Sequence, residues 1–346
     1  MCYRSLLSAV AVGAVLLIPI SGQAAEFLAV DDYDCGVRMR GEIADGDVAR
    51  LEKVLQERSG QTVPNADVCL QGSGQNYAEA LRISRHILGQ RLSTMIEHDT
   101  ECVEACAYVF MGGREAFENL SFPKRFLYVT GRLGFRAPPS PPITGNDSEA
   151  LIRSYREAVM ALGSLARING EYRVGSNSDQ KFPFPRSLIA DILRSDSGQM
   201  LWVETLEQAS KWNIHLLGVK LPAPPTKESL YRACVNEARA SKRLSDKAGT
   251  ELSGTGPIFL DSKRAARAVF KGFGLKNEEI CVADLYLSKG KEFYIEISFG
   301  ESVKDDSIIP ADHLSGLLED GERLDMNTPI WRTLPVQTRI NTLSGL

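Results

Sequence analysis

The sequence predicts an α/β domain built from successive strand–helix units, followed by a small α+β domain. Three observations carry this reading. Two strand-to-helix turns, at 70–76 and 99–104, follow one another in βαβα order. Leu221-Pro222-Ala223-Pro224-Pro225 puts three prolines in five residues, which favours an extended spacer between units. Beyond that spacer, Phe293, Ile295 and Ile297 alternate with Tyr294, Glu296 and Ser298, as a half-buried strand requires.

Residues 1–24 hold one charge, Arg4, then an apolar run from Leu6 to Ile20 and Ser21-Gly22-Gln23-Ala24-Ala25. A short basic start, an apolar middle and a small-x-small ending are expected of a cleaved signal peptide, with cleavage after Ala24 or Ala25. No later segment approaches the 18 apolar residues of a membrane span. The expected organisation is a signal peptide at 1–24, a first domain at 25–221 and a second at 222–346. The expected location is periplasmic or secreted, off the membrane after cleavage.

The first domain opens with strand patterns at Phe27 to Val30 and Val37 to Ile43, then an amphipathic helix from Asp45 to Arg58 with Val48, Leu51, Val54 and Leu55 on one face. A short strand, Asp67 to Leu70, runs into the turn-forming Gln71-Gly72-Ser73-Gly74-Gln75-Asn76 and a helix from Tyr77 to Gln90. Backbone N–H groups at such a turn face an anion readily. The dinucleotide fingerprint is incomplete, since its third glycine is missing and no acid follows a second strand in register.

Ser93 to His98 is the next strand, leading to Glu101-Cys102-Val103-Glu104-Ala105-Cys106-Ala107-Tyr108-Val109-Phe110-Met111-Gly112-Gly113. This small, apolar stretch reads as a buried helix, and Glu104 stands out in it. A carboxylate there is either a first-turn residue at the positive helix end or a buried acid with a partner. Strands at Phe126 to Val129 and Arg132 to Phe135 follow, then the stiff Ala137-Pro138-Pro139-Ser140-Pro141-Pro142. Helices are expected over Ser148 to Asn169 and Ser187 to Arg194, and strand–helix–strand over Gly198 to Val219 with Thr205 as cap. Ile152, Tyr155, Val159, Leu162 and Leu165 form a stripe on the long helix, suited to core packing or to a subunit contact. In the second domain, helices are expected at Lys227 to Ser241 and Ser262 to Phe270, a Gly/Ser/Thr-rich loop at Gly249 to Gly256, and strands at Cys281 to Leu287 and Glu292 to Phe299. No chemistry is evident there.

Without Arg4 the chain has 39 basic and 44 acidic residues, a charge of −5, with no clustered basic face for nucleic acid or anionic lipid. Six cysteines remain once Cys2 leaves with the signal, an even number that suggests disulfides in an exported chain. Sequence alone allows fifteen pairings. The pairing that stays within regions is Cys35 with Cys69, Cys102 with Cys106, and Cys234 with Cys281. Cys-x-x-x-Cys lacks a second Cys/His pair at ligand spacing, and His86, His98, His215 and His313 are scattered, so no metal and no cofactor is expected.

Residues 37 to about 219 resemble the proteolytic subunit of the Clp protease and its exported bacterial relatives, members of the ClpP/crotonase spiral fold. The resemblance rests on Val37-Arg38-Met39-Arg40-Gly41-Glu42-Ile43 as the opening strand and Leu70 to Gln75 at the family's glycine loop. It continues with Glu101 to Gly113 as the nucleophile helix, Leu133-Gly134-Phe135-Arg136-Ala137-Pro138 as the base strand, and Leu201 to Val219 as the closing helix and strand.

The resemblance implies a serine nucleophile at position 104, a histidine base at 136, an orienting acid at Asp196, and an oxyanion hole made by Gly72, Ser73, Gly74 and Ala105. Here Glu104 has no hydroxyl, and the Arg136 guanidinium does not release a proton at accessible pH. Ser73 and Gln75 depart from the loop's proline and second glycine. If positions 104 and 136 meet, a bidentate, buried Glu–Arg pair is expected in place of the dyad. The implied protein is a catalytically inactive pseudohydrolase that binds or scaffolds an unidentified protein or peptide partner, or assembles with itself. The rival readings are a crotonase-type enzyme using Glu104 as acid/base, and a residual hydrolase using Ser73 or Ser93 with His98 or Lys124 as base, which no spacing supports.

Overall fold

The computed structural model describes residues 24–30, 35–58, 68–117, 120–138, 148–172, 182–195, 198–219, 227–240, 254–259, 265–273, 279–287, 293–300, 302–303, 318–319, 334–335 and 337–343. The expected signal peptide up to residue 23, the prolines at 222, 224 and 225, and Asp196 lie outside the described residues.

The first unit is a mainly parallel, curled sheet with helices packed against it. Its opening elements are β1 (Glu26–Ala29), β2 (Val37–Glu42), α1 (Asp47–Arg58), β3 (Val68–Ser73) and α2 (Tyr77–Gln90). β1 pairs antiparallel with β2, and β2 pairs in parallel with β3 along its whole length. Asn76 caps α2, its Oδ1 accepting from the N–H of Glu79 at 3.0 Å. α2 ends as Arg91 takes a left-handed conformation.

The other edge of β3 is divided between two strands. Val68 and Cys69 pair with β4 (Thr94–Ile96), and Gly72 pairs with β5 (Glu101–Val103). The chain bends between β4 and β5 at Glu97 to Thr100, where Asp99 has φ 55° and the Thr100 hydroxyl donates to the Glu97 carbonyl. After α3 (Ala105–Phe110) and the hairpin β6 (Arg114–Phe117) with β7 (Leu120–Pro123), the same bend recurs between β8 (Arg125–Tyr128) and β9 (Arg132–Phe135). β8 lies beside β4 and β9 beside β5. The sheet therefore forks, and its second arm carries the ends of β5 and β9 to one place.

α4 (Ser148–Glu171), α5 (Arg186–Arg194), β10 (Leu201–Trp202), α6 (Leu206–Lys211) and β11 (His215–Leu217) complete this unit. Thr205 and Gln208 form a reciprocal capping box at the start of α6. The α4 stripe divides by burial: Leu165 is in the core, whereas Ile152, Tyr155, Val159 and Leu162 are exposed. Arg125 is fully buried and donates to the carbonyls of Gly113, Trp212 and Pro183, tying together the end of α3, the end of α6 and the approach to α5.

The second unit has α7 (Lys227–Ala240) and an antiparallel sheet of β12 (Gly254–Phe259), β13 (Ala265–Phe273), β14 (Glu279–Leu287) and β15 (Phe293–Gly300). Of the helix expected at Ser262 to Phe270, the described part, from Ala265 on, is a strand. Its alanines favour a helix in isolation, but the continuous pairing of Ala265 to Lys271 with β14 and the burial of Phe270 against Tyr231 override that preference. The last described segment, 337–343, belongs to the first unit: Ile340 and Leu343 are buried in its core, and the Ile340 N–H donates to the Glu204 carbonyl.

All three expected disulfides form: Cys35–Cys69, Cys102–Cys106 and Cys234–Cys281. Among the described residues, no helix is long and apolar enough to cross a membrane.

Candidate functional site

Glu104 occupies a one-residue elbow between β5 and α3, so the helix expected over Glu101 to Gly113 is preceded by a strand and begins at Ala105. The Glu104 N–H donates to the Gly134 carbonyl at 2.9 Å, the last rung between β5 and β9. Its own carbonyl accepts from the Ala107 N–H at 3.1 Å, which starts α3. Serving both elements at once requires φ 55° and ψ −122°. A residue with a Cβ adopts such a conformation at a cost of about 1–3 kcal/mol. Cys102 and Cys106 are bonded across this turn, one on each element it joins.

Arg136 directly follows β9, and β5 and β9 are parallel neighbours, so the two side chains emerge at adjacent strand ends. Arg136 Nη1 donates to Glu104 Oε1 at 2.5 Å. The pair departs from the expected bidentate, buried one. It makes a single contact, the side chains keep 29 % and 14 % exposure, and the buried Arg136 Nε has no hydrogen-bond partner. The fork geometry is not met because only one nitrogen of the guanidinium reaches the carboxylate.

Two tyrosines enclose the pair. Tyr77 and Tyr108 meet edge to face at 5.1 Å between ring centroids, and the Tyr108 hydroxyl donates to the Arg136 carbonyl at 3.1 Å. Burial pushes the Tyr77 phenol well above its ordinary value. The Glu104 carboxylate adds to that rise and the Arg136 guanidinium opposes it. Burial also raises Tyr108, with a smaller contribution from Tyr77. The Tyr77 hydroxyl is buried without a hydrogen-bond partner and borders an apolar cavity of about 110 Å³, walled also by Tyr108, Pro138, Leu162, Leu165 and Ile192. The tyrosines were not visible as site residues in the sequence, since an aromatic early in an amphipathic helix reads as core.

The loop expected to supply an oxyanion hole is largely strand. Gly72 and Ser73 are paired with Gly41 and Glu42 in the β2–β3 ladder. A Cβ at Gly72 would lie 2.1 Å from the Gly41 carbonyl oxygen, so the strands' close approach there requires glycine. The Ser73 carbonyl accepts from Ile43 N–H, and the Gly74 carbonyl accepts from Ala105 N–H at 3.0 Å. The donor that follows the elbow residue is thus engaged by the loop itself. The structure brings Glu104, Ala105, Gly74 and Arg136 together, while Gly72 and Ser73 serve strand pairing.

Elsewhere, His98 Nδ1 is 3.1 Å from the Thr130 hydroxyl and Lys124 is paired with Glu115 at 3.0 Å, so both side chains have other partners than a serine. Potential metal-ligand atoms of Cys35, Cys69 and Glu97 gather within 4.8 Å of one another, but both sulfurs belong to a disulfide and Glu97 is held by Arg38.

No protein-family model matches the sequence, and no curated protein matches it. Among solved structures, the fold is similar to a ClpP1 mutant from Listeria monocytogenes. That match has a TM-score of 0.34 and 13% identity, and covers 54% of this chain and 92% of the other. A second similarity, to a protein described as an enoyl-CoA hydratase/isomerase from Bordetella parapertussis, has a TM-score of 0.22 and 12% identity. It covers 42% of this chain and 65% of that one, so the chain spans just under two thirds of its length.

Proposed function

We propose that the chain is an exported, non-catalytic protein of the ClpP/crotonase-like class, in which the site of a serine–histidine dyad has become a structural ion pair and the protein acts by binding a protein or peptide, or by scaffolding. The observation that carries this reading is the pairing of Glu104 with Arg136 at a strand–helix elbow, where a hydrolase needs a nucleophile and a base. The Ala105 N–H supports it, since its bond to Gly74 withholds a donor that a tetrahedral oxyanion needs. The Glu104 carboxylate is engaged by Arg136, which argues for a structural role over acid/base work. Export is supported by three disulfides, a bond type that persists in oxidising compartments. Self-association is supported by the apolar residues that α4 leaves exposed.

The test is exposure of the purified protein to a fluorophosphonate probe, with intact-mass detection. No adduct is expected. A stoichiometric adduct on any serine overturns the non-catalytic reading. Size-exclusion chromatography with light scattering tests the assembly component, and a monomer at all concentrations removes it.

A further inference from the structure

A second cleft, of about 400 Å³, lies at the opposite end of β5 and β9 from Glu104 and Arg136. Its walls come from the β8–β9 turn, the start of β9, β10 and the returning segment 339–341. That size falls within the range of small-molecule sites, and the lining mixes charged and polar residues with the Trp202 ring. Of its apolar residues Trp202 is partly exposed, whereas Leu133 and Ile340 are buried beneath it in the core. Arg132 is fixed in place, its guanidinium 4.0 Å over the Trp202 ring and its Nη1 2.8 Å from Glu101 Oε2.

Two other charged residues of the lining differ from Arg132. The Arg339 guanidinium and the Glu204 carboxylate have no ion-pair or hydrogen-bond partner among the described residues, and they do not pair with each other. Arg132 is already neutralised by Glu101. What the cleft offers is therefore one unpaired positive and one unpaired negative group beside Trp202. A monoanion would complement Arg339 and be repelled by Glu204, and a cation would meet the reverse. A molecule carrying both charges satisfies both.

We infer that this cleft binds a small zwitterion, a free α-amino acid with an apolar or aromatic side chain. Its carboxylate meets Arg339, its ammonium meets Glu204, and its side chain lies against Trp202. The site depends on the chain's return after its second unit, because Arg339 and Ile340 come from that segment. It shares no residue with the Glu104 site, so it stands whether or not the non-catalytic reading does.

Calorimetric titration of the full chain with three probes tests the inference. L-phenylalanine carries both charges, phenylalaninamide lacks the carboxylate, and 3-phenylpropionate lacks the ammonium. L-phenylalanine is expected to bind at least about tenfold more tightly than either analogue. Arg339→Gln is expected to remove the preference over phenylalaninamide, and Glu204→Gln the preference over 3-phenylpropionate. Both side chains lack partners, so these variants leave the fold intact. No saturable binding of L-phenylalanine up to about 10 mM overturns the proposal. Equal affinity for all three probes, or wild-type affinity for L-phenylalanine in both variants, overturns it equally.

Discussion

The backbone N–H of Ala105 points at the carbonyl of Gly74, 3.0 Å away, and this contact sits beside the Glu104–Arg136 pair at the end of β5. In acyl-transfer sites the N–H after the nucleophile faces the developing oxyanion, where losing one donor costs about 10²–10³ in rate. Placing a serine and a histidine at 104 and 136 alone therefore leaves the donor occupied. The double variant Glu104→Ser/Arg136→His is expected to hydrolyse p-nitrophenyl esters no faster than wild type. Turnover more than about a hundredfold above wild type would mean that the hole opens once the ion pair is gone.

The same pair acts on the ionisation of a neighbouring phenol. Glu104 raises the Tyr77 phenol and Arg136 lowers it, both on top of the larger effect of burial. Glu104→Gln should therefore bring Tyr77 ionisation to lower pH, and Arg136→Gln should move it higher. Ultraviolet difference titration against a Tyr77→Phe control reads both shifts, and shifts of the same sign would refute the coupling. Because the folded phenol holds its proton where the unfolded one releases it, Tyr77 contributes stability below the ordinary tyrosine value of about 10. That contribution is lost as pH rises toward the folded value.

The disulfides should differ in what their removal costs. Cys102–Cys106 closes a loop with a sequence separation of 4, and Cys35–Cys69 one with a separation of 34. Loop-closure entropy gives about 2 kcal/mol for the first and about 4 kcal/mol for the second. Replacing each pair by alanines and following urea unfolding should reproduce that order. A larger loss for Cys102–Cys106 would show that the bond also holds Glu104 in its positive-φ conformation, beyond restricting the unfolded chain.

Much of this fold is legible in the sequence because period and caps speak locally. The Tyr77–Gln90 helix follows from the turn-forming loop that ends at Asn76, and β9 from its short apolar run. Local patterns fail where tertiary contacts decide. The alanines of β13 form a strand because β14 pairs with them, and Gly72 is strand because Gly41 lies opposite. Glu104 was conspicuous as a carboxylate among apolar neighbours, and Arg136 as its partner followed from the resemblance. The elbow conformation, the Tyr77 enclosure and the Ala105–Gly74 bond depend on where the two arms of the sheet end, which no stretch of sequence encodes alone. The cleft at Arg339 is the extreme case, since that wall lies more than a hundred residues along the chain from the other two.

Asp47 gives a prediction of opposite origin to an ordinary surface acid. It is fully buried at the start of α1, paired with Arg50 at 2.6 Å and accepting from the Ala44 N–H at 2.8 Å. Burial nevertheless raises its carboxyl above the ordinary value. The Ala44 bond and Arg50 oppose that rise, and the neighbouring Glu79 adds to it. A raised folded value means that the folded protein holds a proton the unfolded chain has released. The stabilisation is fully present below about pH 4, the ordinary aspartate value, and is lost as pH rises through the folded value. Asp47→Asn keeps a carbonyl acceptor for Ala44 and removes the titration. Its unfolding free energy should therefore change less with pH across that window than the wild type's, as measured by urea unfolding at a series of pH values. A wild-type slope of opposite sign that Asp47→Asn abolishes would show that Arg50 outweighs burial.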